Sequence, residues 1–431
     1  MADLVRSLTR LFRWGSPDPS PGVAYAPDTA VAQRFWSSLE TDTLAAPPQD
    51  GETLRHTLLP RVKQFIQQER SQIEAAHRDG AGGLEVVALH ADLVDAVISQ
   101  LFRLAEEVLL RDLRDHTEGC AIVALGGYGR RELNPGSDVD VMFLYPRRAD
   151  EYVTTVLHHV LYFLWDLGFT VGHSCRSLSD ALRMMDADII TFTSMLEARF
   201  LAGNSGVFAE FQERMWRNLH GRRVQQYIAD KLEEQDRRHQ KFGGSVYLQE
   251  PNVKEGPGGL RDFHVAIWIA RARHRLAEIT GLSSLNLLTP VEVAQCVQDL
   301  DFLLRVRNEL HYLQGGKHDV LSLQIQVPVA DNLGYHDGPK YGVEQFMQQY
   351  YRRAGGLHLL SRRVTDRCVE WPGSQVEAVM KKLRARDIGD DFVELNRQIH
   401  ILPAQQNCFR DDPVRLLKIF WYRQEMGYEL S

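Results

Sequence analysis

Two short apolar runs, residues 121–125 and 139–144, stand out from a chain whose apolar positions otherwise recur mainly at helical spacing. Runs of this length, the second broken only by Asp140, read as buried strands. They predict a strand, a turn at Gly126-Gly127, a polar excursion and a second strand. Residues 152–167 then predict a buried helix stopped by Gly168, and residues 169–175 a further strand. Upstream, Val62, Phe65, Ile66 and Ile73 keep helical spacing behind Pro60, which suits a first turn. Gly80 to Gly83 breaks that helix. A second one is expected from about Asp92, placed to cap it, with Leu93, Val94, Val97, Ile98, Leu101 and Leu104 on one face.

Downstream, residues 222–241 are dense in both charge signs and read as a solvated helix face. Gly256, Pro257, Gly258 and Gly259 form a loop before a helix expected near Arg261, and apolar spacing through 266–270, 302–311 and 346–353 predicts a helical bundle. At the N-terminus Leu4, Val5, Leu8, Leu11 and Phe12 share a helical face flanked by Arg6, Arg10 and Arg13. That segment suits a helix docked on its own protein, or one lying on an anionic membrane. Its arginines interrupt a signal-peptide core. Prolines across 16–22 predict a linker. The pattern is α+β: an N-terminal helix and linker (1–56), a domain with a small mixed sheet (57–220) and a mostly helical domain (221–431).

Composition narrows the classes. With 431 residues, 44% hydrophobic and 25% charged, the chain has enough apolar residues for more than one core. A net charge of -7 argues against holding long nucleic acid by phosphate neutralisation. Cys120, Cys175, Cys296, Cys368 and Cys408 are odd in number and lack metal-ligand spacing, which suits reduced thiols in a cytoplasmic protein. No apolar stretch approaches the ~20 residues that span a bilayer.

Candidate chemistry concentrates in the strand pair. Gly126 and Gly127 lack Cβ atoms, so the backbone can turn sharply and bring N–H groups to an anion. Asp138 and Asp140, two residues apart, fall on one face of a strand while Val139, Val141 and Phe143 fall on the other. Neighbouring carboxylates repel unless a cation lies between them. Mg²⁺, or Mn²⁺ in its place, suits such oxygens together with substrate phosphates. The plainer alternative is a common turn and two solvated loop acids. The glycine loop, flanked by Lys254 and Arg261, is either an anion site at a helix start or a tight turn. Arg305, Arg307 and His311 lie near one face, as do Tyr350 and Arg353; they suit phosphate or carboxylate partners such as Glu309. His158-His159 and His318-Asp319 are poor metal pairs, one split around a helix and one in a turn.

The wording from Gly126-Gly127 to Ser137-Asp138-Val139-Asp140-Val141 resembles the signature of the polymerase beta-like nucleotidyltransferase superfamily, and in full that of the uridylyltransferases of the nitrogen-regulatory protein PII. The block from Glu250 through Gly256-Pro257-Gly258-Gly259-Leu260-Arg261-Asp262 is similar to that family's other hallmark. The resemblance implies transfer of UMP from UTP to a tyrosine of a PII-like protein, with release of pyrophosphate. Asp138 and Asp140 would be the catalytic and metal-binding residues. Gly126, Gly127, Ser137, Lys254, Gly258, Gly259 and Arg261 would bind nucleotide. Another NTP or acceptor, as in protein adenylylation, and a non-catalytic nucleotide-binding module are the alternatives. Such folds often add a third carboxylate. The strand after Gly168 offers only His173, while Glu132 and Glu197 read as surface salt-bridge residues. The family continues with a phosphohydrolase and ligand-sensing domains, so the sequence is expected to be a fragment or a relative that kept the transferase half.

Overall fold

The computed structural model describes residues 23–25, 30–39, 51–111, 113, 117–369, 386–390, 392–395, 398–401 and 408–430. The predicted N-terminal helix and the 16–22 linker lie outside them. The chain divides into two compact units, Met1–Val369 and Glu370–Ser431.

In the first unit β1 (Val23–Tyr25), α1 (Ala30–Leu39), α2 (Gly51–Arg78) and α3 (Gly83–Leu104) lead into β2 (Ala121–Ala124) and the one-turn α4 (Gly126–Gly129). Then come β3 (Val139–Tyr145), α5 (Glu151–Asp166), β4 (Val171–Ser177), α6 (Leu178–Ala187), α7 (Ile189–Leu196), β5 (Arg199–Asn204) and α8 (Ser205–Asn218). Helices α9 (Arg222–Lys241), α10 (Leu260–His274), α11 (Gly281–Ser284), α12 (Pro290–Gln314), α13 (Leu323–Asn332) and α14 (Gly342–Val369) complete it. The sheet is mixed, in the order β1-β5-β2-β3-β4, with β3 and β4 parallel and the other pairs antiparallel.

Apart from Asp140, the two central strands are mainly apolar because each face is covered by a different layer. Ile122, Ala124, Val139, Val141 and Phe143 pack with α2, α3 and α5, whereas Ala121, Val123, Met142 and Leu144 pack with residues of α6 to α8 and of the bundle helices α10, α12 and α14. The predicted boundary at 220/221 is therefore no break in packing: sheet and bundle share one core, which fixes the bundle against the β2–β3 hairpin.

Two upstream expectations are corrected. Pro60 lies inside α2, because Leu54 and Leu58 extend the buried stripe N-terminal to it. Asp92 lies within α3 and pairs with Arg131. The helix starts at Gly83 instead, where Asp301 of α12 accepts a hydrogen bond from the Leu84 N–H at 2.9 Å, so the cap comes from another helix. A Cβ on Gly83 would stand 2.2 Å from the Asp301 carbonyl, so only glycine permits this crossing.

The second unit departs from the all-helical expectation. Strands β6 (Arg386–Gly389), β7 (Phe392–Leu395), β8 (Gln398–Ile401) and β9 (Glu429–Leu430) form a sheet in that order, accompanied by α15 (Cys408–Asp411) and α16 (Arg415–Met426). Its core is Phe392, Ile399, Ile419 and Tyr422.

Candidate active site

The β2–β3 hairpin sets the first half of the site. Leu125 N–H bonds the Asp140 carbonyl at 2.9 Å, so the chain leaves β2 directly opposite Asp140 and turns at Gly126, whose φ is +55°. On the other side β4 places Gly172 in register with Asp140. A Cβ on Gly172 would stand 2.2 Å from Asp140 Oδ1, and one on Gly126 3.6 Å from Oδ2. The Asp140 carboxylate thus lies between two glycines. The N–H groups of Gly126 and Gly127 have no acceptor among the described residues.

Asp138 sits one residue before β3 rather than on it, in the loop Asn134-Pro135-Gly136-Ser137. Helix α12 holds that loop. Asn134 donates to Asn308 Oδ1 at 2.6 Å and accepts from Arg307, and Gly136 N–H donates to His311 Nδ1 at 3.1 Å. Arg307 and His311, weighed as phosphate ligands, also grip Asp319 at 2.7 Å and 3.1 Å. That commits the acid of His318-Asp319 to a structural contact.

A cavity of about 360 Å³ opens on this hairpin. It brings together Gly126, Gly127, Ser137, Asp138, Asp140, Lys254 and Arg261, as expected from sequence. It does not include Gly258 or Gly259. The N–H groups of Gly258, Gly259 and Arg261 are spent on Asp262 Oδ2, the Gly256 carbonyl and the Lys254 carbonyl at 2.8–2.9 Å. A Cβ on Gly258, where φ is +71°, would meet the Ala354 carbonyl at 2.6 Å. These glycines let the loop pack on α14, and the expectation that they bind nucleotide is set aside.

Glu132 and Glu197 line the same cavity and are buried, 5% and 3% exposed, not surface residues. Arg130 joins them, donating to Glu197 at 2.6 Å and to Glu132 at 3.1 Å. His264 and Trp268 complete the cluster from α10, bonding Glu132 Oε2 at 2.6 Å and Glu197 Oε1. Burial and the nearby guanidinium push the His264 imidazole down to about 4, so its neutral ring donates through Nε2. Burial opposes ionisation of Glu132, but His264 and Arg130 outweigh it and hold the carboxyl at about 2. Both acids are ion-paired through this cluster, Glu132 by Oε2 alone, its Oε1 having no hydrogen-bond partner among the described residues. His173 lies outside the cavity, against Trp165. Arg261, His264 and Trp268 share one helical face, yet α10 is buried nearly all round, with Asp262 and Arg271 on other sides, so periodicity gave no contrast.

The remaining polarity is electrostatically strained. Burial, and then the charge of Asp138, raise the Asp140 carboxyl, while Lys317 and Lys254 lower it. Burial, with Arg307 and Arg261, depresses the Lys254 ammonium to about 8. Lys254 is only loosely paired, 3.8 Å from Glu255, whereas Arg261 bonds Glu255 at 3.1 Å and stacks 5.3 Å from the Trp268 ring centre. Lys317, which the sequence reading missed, bonds Asp138 Oδ2 at 2.5 Å. Two neighbouring carboxylates, one of which already accepts an ammonium, fit Mg²⁺ or Mn²⁺.

Comparison with known proteins finds similarity to nucleotidyltransferases. Residues 226–365 match the family model for GlnD PII-uridylyltransferase, and residues 29–163 that for glutamate-ammonia ligase adenylyltransferase. Bifunctional uridylyltransferase/uridylyl-removing enzymes from Erythrobacter litoralis and Cereibacter sphaeroides are 34% and 37% identical, over 89% and 82% of this chain. The one from Azospirillum brasilense is 32% identical over 95% of it. The matched regions amount to 42%, 38% and 44% of those proteins, so the chain spans under half the length of the relatives it matches. Among the described residues no helix is long and apolar enough to cross a membrane. Both signature blocks converge on one cavity, and along most of its length the chain is similar to bifunctional uridylyltransferase/uridylyl-removing enzymes.

Proposed function

We propose that this chain transfers UMP from UTP to a tyrosine hydroxyl of a PII-like protein and releases pyrophosphate. The observation that carries this is the meeting of Asp138 and Asp140 with Gly126, Gly127, Lys254 and Arg261 in one cavity. Asp138 and Asp140 would hold the divalent cation. When bound, Mg²⁺ or Mn²⁺ supplies activation of the attacking hydroxyl and offsets charge on the leaving pyrophosphate. The free N–H groups of Gly126 and Gly127 bind phosphate oxygens, and Ser137 adds a hydroxyl to the same wall. Lys254 and Arg261 line the same cavity and orient the triphosphate, Arg261 with its guanidinium beside the Trp268 ring. Gly172 and Gly126 keep the Asp140 carboxylate in place.

Adenylylation is the second reading, favoured by the match of residues 29–163 to an adenylyltransferase family. Incubation of the chain with Mg²⁺, a PII-like protein and each α-labelled NTP in turn separates the two, with label from UTP expected on the acceptor tyrosine. Asp138→Asn and Asp140→Asn should each lower labelling about a hundredfold or more without unfolding the protein. Label from ATP alone replaces the first reading by the second, and full turnover in both variants removes the metal role.

A further inference from the structure

The segment after α12 carries Lys317 to Asp138 on a fixed strap. Gly136 and Gly316 touch so closely that a Cβ on Gly136 would lie 2.6 Å from the Gly316 carbonyl carbon. Gly316 N–H returns to the His311 carbonyl at 3.1 Å, and Asp319 is clamped by Arg307 and His311. The strap then joins the second signature block, Val253 N–H donating to the Asp319 carbonyl at 2.8 Å and Leu321 N–H to the Pro251 carbonyl at 2.9 Å. Its backbone is therefore tied to both halves of the site. The Lys317 side chain is not, being half exposed with its ammonium 2.5 Å from Asp138 Oδ2.

Mg²⁺ binds carboxylate oxygen at about 2.1 Å. It cannot share the Asp138 carboxylate with an ammonium at hydrogen-bond distance without placing two cations side by side, where they repel each other. We propose that Lys317 is a built-in counter-ion of Asp138, exchanged for the divalent cation and then released to the nucleotide's triphosphate. This rests on the metal and nucleotide reading above. The four-carbon stem allows the ammonium to swing from Asp138 while the strap stays put, and it remains at the wall shared with Lys254 and Arg261. Lys317 thereby neutralises Asp138 in the free protein and adds a phosphate ligand only once the cation has arrived.

Mn²⁺ binding followed by electron paramagnetic resonance, without nucleotide, tests the exchange on the whole chain as wild type, Lys317→Met, Lys317→Arg and Asp138→Asn. Lys317→Met should bind Mn²⁺ about tenfold more tightly than wild type, because the competing charge is gone. Lys317→Arg should stay near wild type, and Asp138→Asn should lose the site. With Mn²⁺ saturating, Lys317→Met should weaken the binding of non-hydrolysable UTP or ATP analogue, whichever binds wild type, about tenfold. Mn²⁺ binding that Asp138→Asn abolishes but Lys317→Met leaves unchanged overturns the exchange while sparing the metal site. Binding indifferent to Asp138→Asn overturns both. Analogue affinity unmoved in Lys317→Met overturns the transfer to phosphate.

Discussion

Gly172 offers a test of how tightly the site is built, because it lies in β4 outside both signature blocks and the atoms nearest its Cβ position belong to Asp140. In Gly172→Ala the new methyl would stand 2.2 Å from Asp140 Oδ1, against the 3.4 Å at which ordinary contact begins. The carboxylate must therefore yield by ~1 Å, and a displacement of that size at a reacting group costs about a hundredfold in rate. That corresponds to ~2.7 kcal/mol of transition-state stabilisation. Stability should barely change, since the atom displaced is the end of a side chain and alanine is the better strand former by ~0.5–1 kcal/mol. The assay is the initial rate of nucleotide incorporation at saturating Mg²⁺ and NTP, with thermal melting on the same samples. Gly355→Ala in α14 is the control, because nothing lies within 4 Å of its Cβ position. It should keep wild-type rate and melt slightly higher. A folded Gly172→Ala with wild-type turnover would refute the reasoning, and with it the idea that Asp140 acts from this position.

Gly258→Val and Gly259→Val should act on folding, not on nucleotide: their Cβ atoms would meet backbone carbonyl oxygens at 2.6 and 2.7 Å, so a loss of ~1–3 kcal/mol is expected in denaturant titrations. Arg261→Ala should raise the nucleotide KM several-fold with the melting temperature little changed, and the opposite pairing of effects would exchange the two roles. Lys254 predicts a pH limb. Its ammonium is depressed to about 8, so the charge is present below that pH and lost as pH rises through it, and kcat/KM for nucleotide should fall above pH 8. Lys254→Arg, which stays charged, should shift that limb out of range; an unchanged limb would assign it to another group.

Local pattern carried much of the fold and half of the site. The apolar runs at 121–125 and 139–144, the acid pair between them and the glycines at the turn are statements about neighbours in sequence, and strand periodicity converts them into geometry without knowledge of the rest. The helices from 222, near 260 and through 302–311 were legible for the same reason. What the sequence could not decide was what each polar group meets. Glu132 and Glu197 look like surface acids until Arg130, just after α4, and His264 and Trp268, both on α10, are brought against them. Asp92 looks like a cap until Asp301 supplies one across 217 residues. Gly258 and Gly259 look like a phosphate loop until Asp262 and the loop's own carbonyls take their N–H groups and α14 packs on them. Lys317 stands 179 residues from Asp138 and has no local signal at all. Burial energies and buried ion pairs depend on partners distant in sequence, so the sequence by itself determined which residues can do chemistry, and the tertiary structure decided which of them are free to do it.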